Sequence, residues 1–98
     1  MRPFIIVTKK RRYQSVWDAL EDDPIRLQNL KLRSALMIEI TEKLGGLGLT
    51  QAKIADILRI TQPRVSALLQ GKIENFRLDS LVDMANRLGL QVSIRVAA

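Results

Sequence analysis

Thr50 and Thr61 are two capping hydroxyls placed so close together that the chain between them can form only a short helix, and Gly71 limits the one after Thr61 in the same way. A threonine at a helix start accepts a hydrogen bond from an otherwise unpaired amide of the first turn. After Thr50, Ile54, Ala55, Ile57 and Leu58 recur at helical spacing, which predicts a first helix over Gln51 to Leu58. After Thr61, Pro63 falls in the first turn, where its missing N–H does no harm, and Val65, Leu68 and Leu69 are read as one apolar face. Gly71 can take the left-handed conformation that ends this second helix. Helices of about eight residues do not stand alone, so the two must pack on each other and on a third element.

Ala55 bears on how they pack. It falls where the first helix comes closest to the second, and its small side chain lets the backbones approach. Gln51, Ala55, Ile60, Val65 and Leu68 stand at the offsets of the helix-turn-helix of DNA-binding repressors, which this stretch resembles. That motif usually has glycine at the turn position occupied here by Arg59. A side chain with a Cβ at positive φ costs about 1–2 kcal/mol, so pattern and residue disagree at this one place.

Composition narrows the chemistry. The 98 residues contain no cysteine and no histidine, which removes disulfides, thiolate chemistry and sulfur-ligated zinc, together with the commonest base and metal ligand. Asp56, Asp79 and Asp83 are the carboxylates a catalytic reading would need, but they lack a basic partner or metal-ligand spacing and read as exposed helix residues. The expectation is therefore no enzyme, no metal and no cofactor. No apolar run approaches the roughly 20 residues that span a bilayer, and Phe4-Ile5-Ile6-Val7 is far short of a signal-peptide core, so a cytoplasmic protein is expected. A formal charge of +6 instead points to a polyanionic partner, for which a basic surface supplies affinity independent of sequence.

The amino-terminal quarter is polarised. Residues 1–12 carry five positive charges and no negative one, whereas Tyr13 to Asp23 carries four negative and no positive. Phe4 to Val7 is a candidate short strand, and Lys9-Lys10-Arg11-Arg12 reads either as an arm reaching a phosphate backbone or minor groove or as a solvated basic loop. Ser15 can cap a helical turn through Val16, Trp17, Ala19 and Leu20, with Trp17 buried against the helical core. Asp23-Pro24 then starts a long helix whose stripe is Leu32, Leu36, Ile40 and Leu44, joined by Leu30 and Met37, with Arg33 outside it and Gly45-Gly46 at its end. Gly46-Leu47-Gly48 is read as a linker. The division expected is an arm over 1–23 and a DNA-binding unit over 24–98, within one structural domain.

Beyond Gly71, Lys72 to Phe76 should be a loop with Phe76 turned inward. Leu78, Leu81, Val82, Ala85 and Leu88 predict a further helix, stopped by Gly89. Leu90, Val92, Ile94 and Val96 then alternate with Gln91, Ser93 and Arg95, a strand with one apolar face. Such a strand needs a partner: Phe4 to Val7, the same strand of a second copy, or another protein.

With these segments placed, Ser15 to Val96 resembles the small XRE-family regulators that include HigA-type antitoxins. The matching pieces are Ser15 to Leu20, the long helix, Leu49-Thr50-Gln51-Ala52, Gln62 to Lys72, Phe76 to Leu81, and Leu88-Gly89 before a final strand. Arg77 departs from the relatives, which often have a capping serine there. The resemblance implies a mainly α fold, a compact helical bundle with a lambda-repressor-like helix-turn-helix, plus the carboxy-terminal strand and the candidate amino-terminal one. It also implies a homodimer on an inverted-repeat operator of double-stranded DNA in a bacterial or phage setting, repressing its own operon. Some members neutralise a ribonuclease toxin, which adds a cognate toxin as a candidate partner; a stand-alone or phage-derived repressor, or a module that mainly binds protein, is the alternative.

The candidate DNA-binding residues follow from the second short helix. Gln62, Arg64, Ser66, Ala67 and Gln70 are read as the face opposite Val65, Leu68 and Leu69, with Pro63 in the first turn beside them. Glutamine can pair bidentately with adenine and arginine with guanine. Gln51, at a helix start with free amides, suits a phosphate contact, and Lys53 and Lys72 are candidate electrostatic contacts.

Overall fold

The Asp23 carboxylate accepts a hydrogen bond from the Ile25 amide at 3.0 Å, and Pro24 fills the first turn behind it. From this start α1 runs over Pro24–Leu47. The computed structural model describes residues 23–98 and the backbone of residues 4–8; the basic run Lys9 to Arg12, the turn capped by Ser15 and Trp17 lie outside the described residues. The order is β1 (Phe4–Thr8), α1, α2 (Gln51–Leu58), α3 (Gln62–Leu69), a 3-10 turn (Ile73–Asn75), α4 (Leu78–Arg87) and β2 (Gln91–Arg95). Among the described residues the fold is mainly α, as the sequence predicts.

The end of α1 differs from the sequence reading. The helix continues through Gly45 and Gly46 to Leu47, and Gly48, with φ 64°, leaves it. Nothing lies within 4 Å of a Cβ built on Gly45 or Gly46, so no close approach requires a glycine at either place. Each costs the helix about 0.5–1 kcal/mol relative to alanine. That is too little to stop a helix whose inner side, through Leu36, Met37, Ile40 and Leu44, is already buried. Gly46 and Leu47 are thus helical rather than linker.

Leu36, Ile40, Val65, Leu68, Phe76 and Leu81 are the largest fully buried side chains, and they bring α1, α3, α4 and the loop after α3 to one core. Burying one such side chain contributes about 1.5–3 kcal/mol. Phe76 is wholly buried, as expected of it. Arg33, read as mostly outside the apolar stripe, is nevertheless half-buried, and its Nε donates to Asn29 Oδ1 at 2.6 Å while Nη1 donates to the Phe76 carbonyl at 3.2 Å. A charged residue next to an apolar stripe reads as solvated until the loop carbonyls it serves are known.

β2 pairs in parallel with β1, Phe4 opposite Gln91 and Thr8 opposite Arg95. Of the three partners open to this strand, the structure thus supplies the one in the same chain. A parallel pair requires a crossover, and α1 to α4 provide it. The apolar face of β2 does not stay buried as the alternation suggests. Leu90 is buried and Val92 half-buried, but Ile94 is 62 % exposed and Val96 more so. Alternation says which residues share a face; it does not say how far the core extends beneath them.

Candidate nucleic-acid interface

The angle between α2 and α3 is set by caps and by one carbonyl. Thr50 Oγ1 accepts from the Lys53 amide at 3.2 Å, and Thr61 Oγ1 from the Arg64 amide at 3.4 Å, so each hydroxyl acts as the N-cap expected of it. Between them Arg59 takes φ 59° and ψ 47°, the only non-glycine residue at positive φ among the described residues. Its own amide and that of Ile60 both turn back to the Ala55 carbonyl, the latter at 3.1 Å.

The same backbone wrap closes the next two helices. The Lys72 amide donates to the Ala67 carbonyl at 3.1 Å, and the Leu90 amide to the Ala85 carbonyl at 2.9 Å, with Gly71 and Gly89 in the left-handed position. In all three wraps the accepting residue is alanine. The residue leaving the helix folds over that position, and a methyl group leaves room for it. Ala55 therefore serves the turn as well as the approach of the two helices.

On α3, Gln62, Pro63, Arg64 and Gln70 are exposed, as is Lys72 just beyond it; Ser66 and Ala67 are half-buried, Ala67 packing against the core. Gln51 and Lys53 are exposed on α2. Val65 and Leu68 are fully buried, but Leu69 is 43 % exposed and does not belong to the inward face assigned to it. On a 3.6-residue period Leu69 lies well round from the line midway between Val65 and Leu68, toward Gln62. It borders a shallow groove with Ile38 and Thr41 of α1. Gln70 Nε2 donates to Ser66 Oγ at 3.0 Å, so these two polar groups are already oriented on each other.

A family model described as "Helix-turn-helix domain" matches residues 19–97. The chain belongs to the helix-turn-helix domain family. No curated protein matches it. A helix-turn-helix regulator that binds DNA is the function this family match supports.

The helix-turn-helix carries a charge imbalance of its own. From Thr50 to Lys72 the cations Lys53, Arg59, Arg64 and Lys72 face a single carboxylate, Asp56, and all five are exposed. Asp79 and Asp83 are exposed on α4, and Asp79 Oδ1 accepts from the Ser80 amide and lies 3.5 Å from Arg77. Arg77 makes no side-chain cap to α4, in keeping with the missing serine. No group of three metal-ligating side chains occurs among the described residues, and no helix there is long and apolar enough to cross a membrane.

Three residues near the helix-turn-helix escaped the sequence reading. Arg26 and Glu74 pair across the start of α1 and the 3-10 turn, and Arg33 ties α1 to the loop that holds Phe76. The pairings join residues far apart in sequence, and no local pattern signals them. Phe76 was expected in the core, but not beneath Arg64, whose guanidinium carbon lies 4.6 Å from the ring centroid.

Proposed function

We propose that this protein is a sequence-specific repressor of the XRE type, binding duplex DNA as a homodimer on an inverted-repeat operator with α3 in the major groove. The observation that carries the reading is the outer side of α3: exposed Gln62, Pro63, Arg64 and Gln70, on a capped helix set against α2, within a matched helix-turn-helix. Gln62 and Arg64 read base edges, with Ser66 and Gln70 beside them on the groove side, while Ala67 packs against the core. Gln51, Lys53 and Lys72 contact phosphates and fix register. The outward apolar side chains Ile94 and Val96 support a dimer built on β2.

Titrating the protein into the DNA upstream of its own reading frame, over a series of salt concentrations, tests this. Tighter binding there than to shuffled duplex of the same composition is expected. Equal affinity for both at every salt concentration would reduce the protein to a non-specific DNA binder.

The resemblance to HigA-type antitoxins extends the proposal to neutralisation of a ribonuclease toxin encoded beside it. Asp18, Glu21, Asp22 and Asp23 give local negative charge for a basic enzyme despite the positive total. Deleting residues 1–23 should then abolish rescue of growth from a co-expressed neighbouring toxin while leaving much of the operator affinity. Full rescue by the truncated chain would exclude that segment as the clamp, and the absence of a neighbouring toxin would leave a stand-alone repressor.

A further inference from the structure

Arg64 is exposed on α3 and its guanidinium carbon lies over the Phe76 ring, 4.6 Å from its centroid, while the ring itself has no exposed surface. Among the described residues its guanidinium makes no hydrogen bond or ion pair. An arginine held over an aromatic face is attracted by the ring, and since no hydrogen bond takes up its N–H donors among the described residues, the fork remains available to another partner. A lysine would keep the attraction and lose the planar fork.

The backbone that carries the ring is fixed at both of its polar groups. The Phe76 amide closes the 3-10 turn on the Ile73 carbonyl at 3.2 Å, and the Phe76 carbonyl accepts from Arg33 Nη1 at 3.2 Å. Arg33 is in turn held by Asn29 Oδ1 at 2.6 Å, so α1 sets the position of the surface on which Arg64 rests.

We propose that Phe76 is a positioning residue for base recognition: its ring pre-orients the Arg64 fork toward the DNA, and Arg33 anchors the ring. This rests on the reading of α3 as the groove helix. An arginine that is free in solution loses rotamer freedom when it docks on a base, and the ring removes part of that loss before DNA arrives. Phe76 thus acts on specificity without touching DNA.

The test begins by selecting a preferred duplex from a random library with the intact protein. Binding is then measured on that duplex and on its single-base-pair variants. Arg64→Ala should flatten discrimination at one base pair by at least about fivefold. Phe76→Leu should flatten the same base pair, and the double variant should be no worse there than the worse single one. Gln62→Ala, acting at a different base pair, should combine multiplicatively with Phe76→Leu. A Phe76→Leu effect that is uniform over all duplexes, or multiplicative with Arg64→Ala, would overturn the proposal and leave Phe76 a core residue only.

If Phe76→Leu does not fold, Arg33→Met loosens the ring without opening the core, and it should flatten the same base pair by less. In the free protein the Arg64 Nε proton should show an upfield ring-current shift; its absence overturns the proposal with no DNA present. Failure of the groove reading looks different, because no duplex is then enriched or Arg64→Ala changes no base pair, and either result removes both ideas.

Discussion

One guanidinium nitrogen of Arg26, Nη2, donates to both carboxylate oxygens of Glu74, at 2.7 and 2.8 Å, tying the first turn of α1 to the 3-10 turn after α3. Both side chains are about half exposed, at 47 % and 63 %. Pairs of that exposure contribute about 0.2–1 kcal/mol. A double-mutant cycle with Arg26→Met and Glu74→Gln should give a coupling in that range, smaller at high salt. The cycle is needed because Arg26 has further interactions.

Gly45 and Gly46 offer a second test. Both are helical, exposed and free of neighbours where a Cβ would stand. Gly45→Ala and Gly46→Ala should each stabilise the fold by about 0.5–1 kcal/mol in urea titration. A loss of stability from either would mean that α1 needs to bend or fray there.

Arg59 at φ 59° carries the penalty that Gly48, Gly71 and Gly89 avoid at their own left-handed positions. Arg59→Gly should raise stability by up to about 1 kcal/mol, the relief of the Cβ being partly offset by the greater freedom of glycine in the unfolded chain. Arg59→Val should lower it, because a β-branched side chain suits this region worse. Ala55→Leu should cost about 1–3 kcal/mol by overpacking the helix pair.

For the interface, Lys53→Ala should weaken binding to all duplexes alike and reduce the slope of log affinity against log salt by about one. Gln62→Ala should instead cost about 1–3 kcal/mol at one base pair. Identical behaviour of the two variants on operator and random DNA would remove Gln62 from the readers.

The dimer is checked by light scattering with and without operator DNA. Two copies should bind an inverted repeat whose half-sites are about 10 base pairs apart or a multiple of that. Ile94→Asp, on an outward side chain of β2, should shift the protein toward monomer while leaving its helices intact. A monomer on DNA would end the two-fold reading.

What the sequence makes legible here is local. Asp23, Thr50 and Thr61 announce their helices because a cap is a contact between near neighbours, whereas at Arg59 the motif's spacing asks for a left-handed backbone that the residue argues against, and only the structure decides for the motif. Leu69 misleads because its hydrophobicity hides an angular position outside the buried arc. Arg33 and the stacking of Arg64 on Phe76 are illegible for another reason: each depends on where a distant loop comes to rest. The outer strand residues fail for a third, since a period of two has no information about where the core stops.

The parallel register of β1 on β2 closes a loop that contains every described helix. The helix pairs can form from neighbours in sequence, whereas this pairing has to wait for the largest loop closure in the molecule. Five residues a side, with little apolar surface buried at the outer end of β2, give that late step little to hold it. The sheet is then expected to be the last part of the molecule to close and the first to open. Its amides should lose protection from solvent hydrogen exchange while those of α1 and α4 are still retained. A partner that pairs with either strand would meet a latch that opens without unfolding the domain behind it.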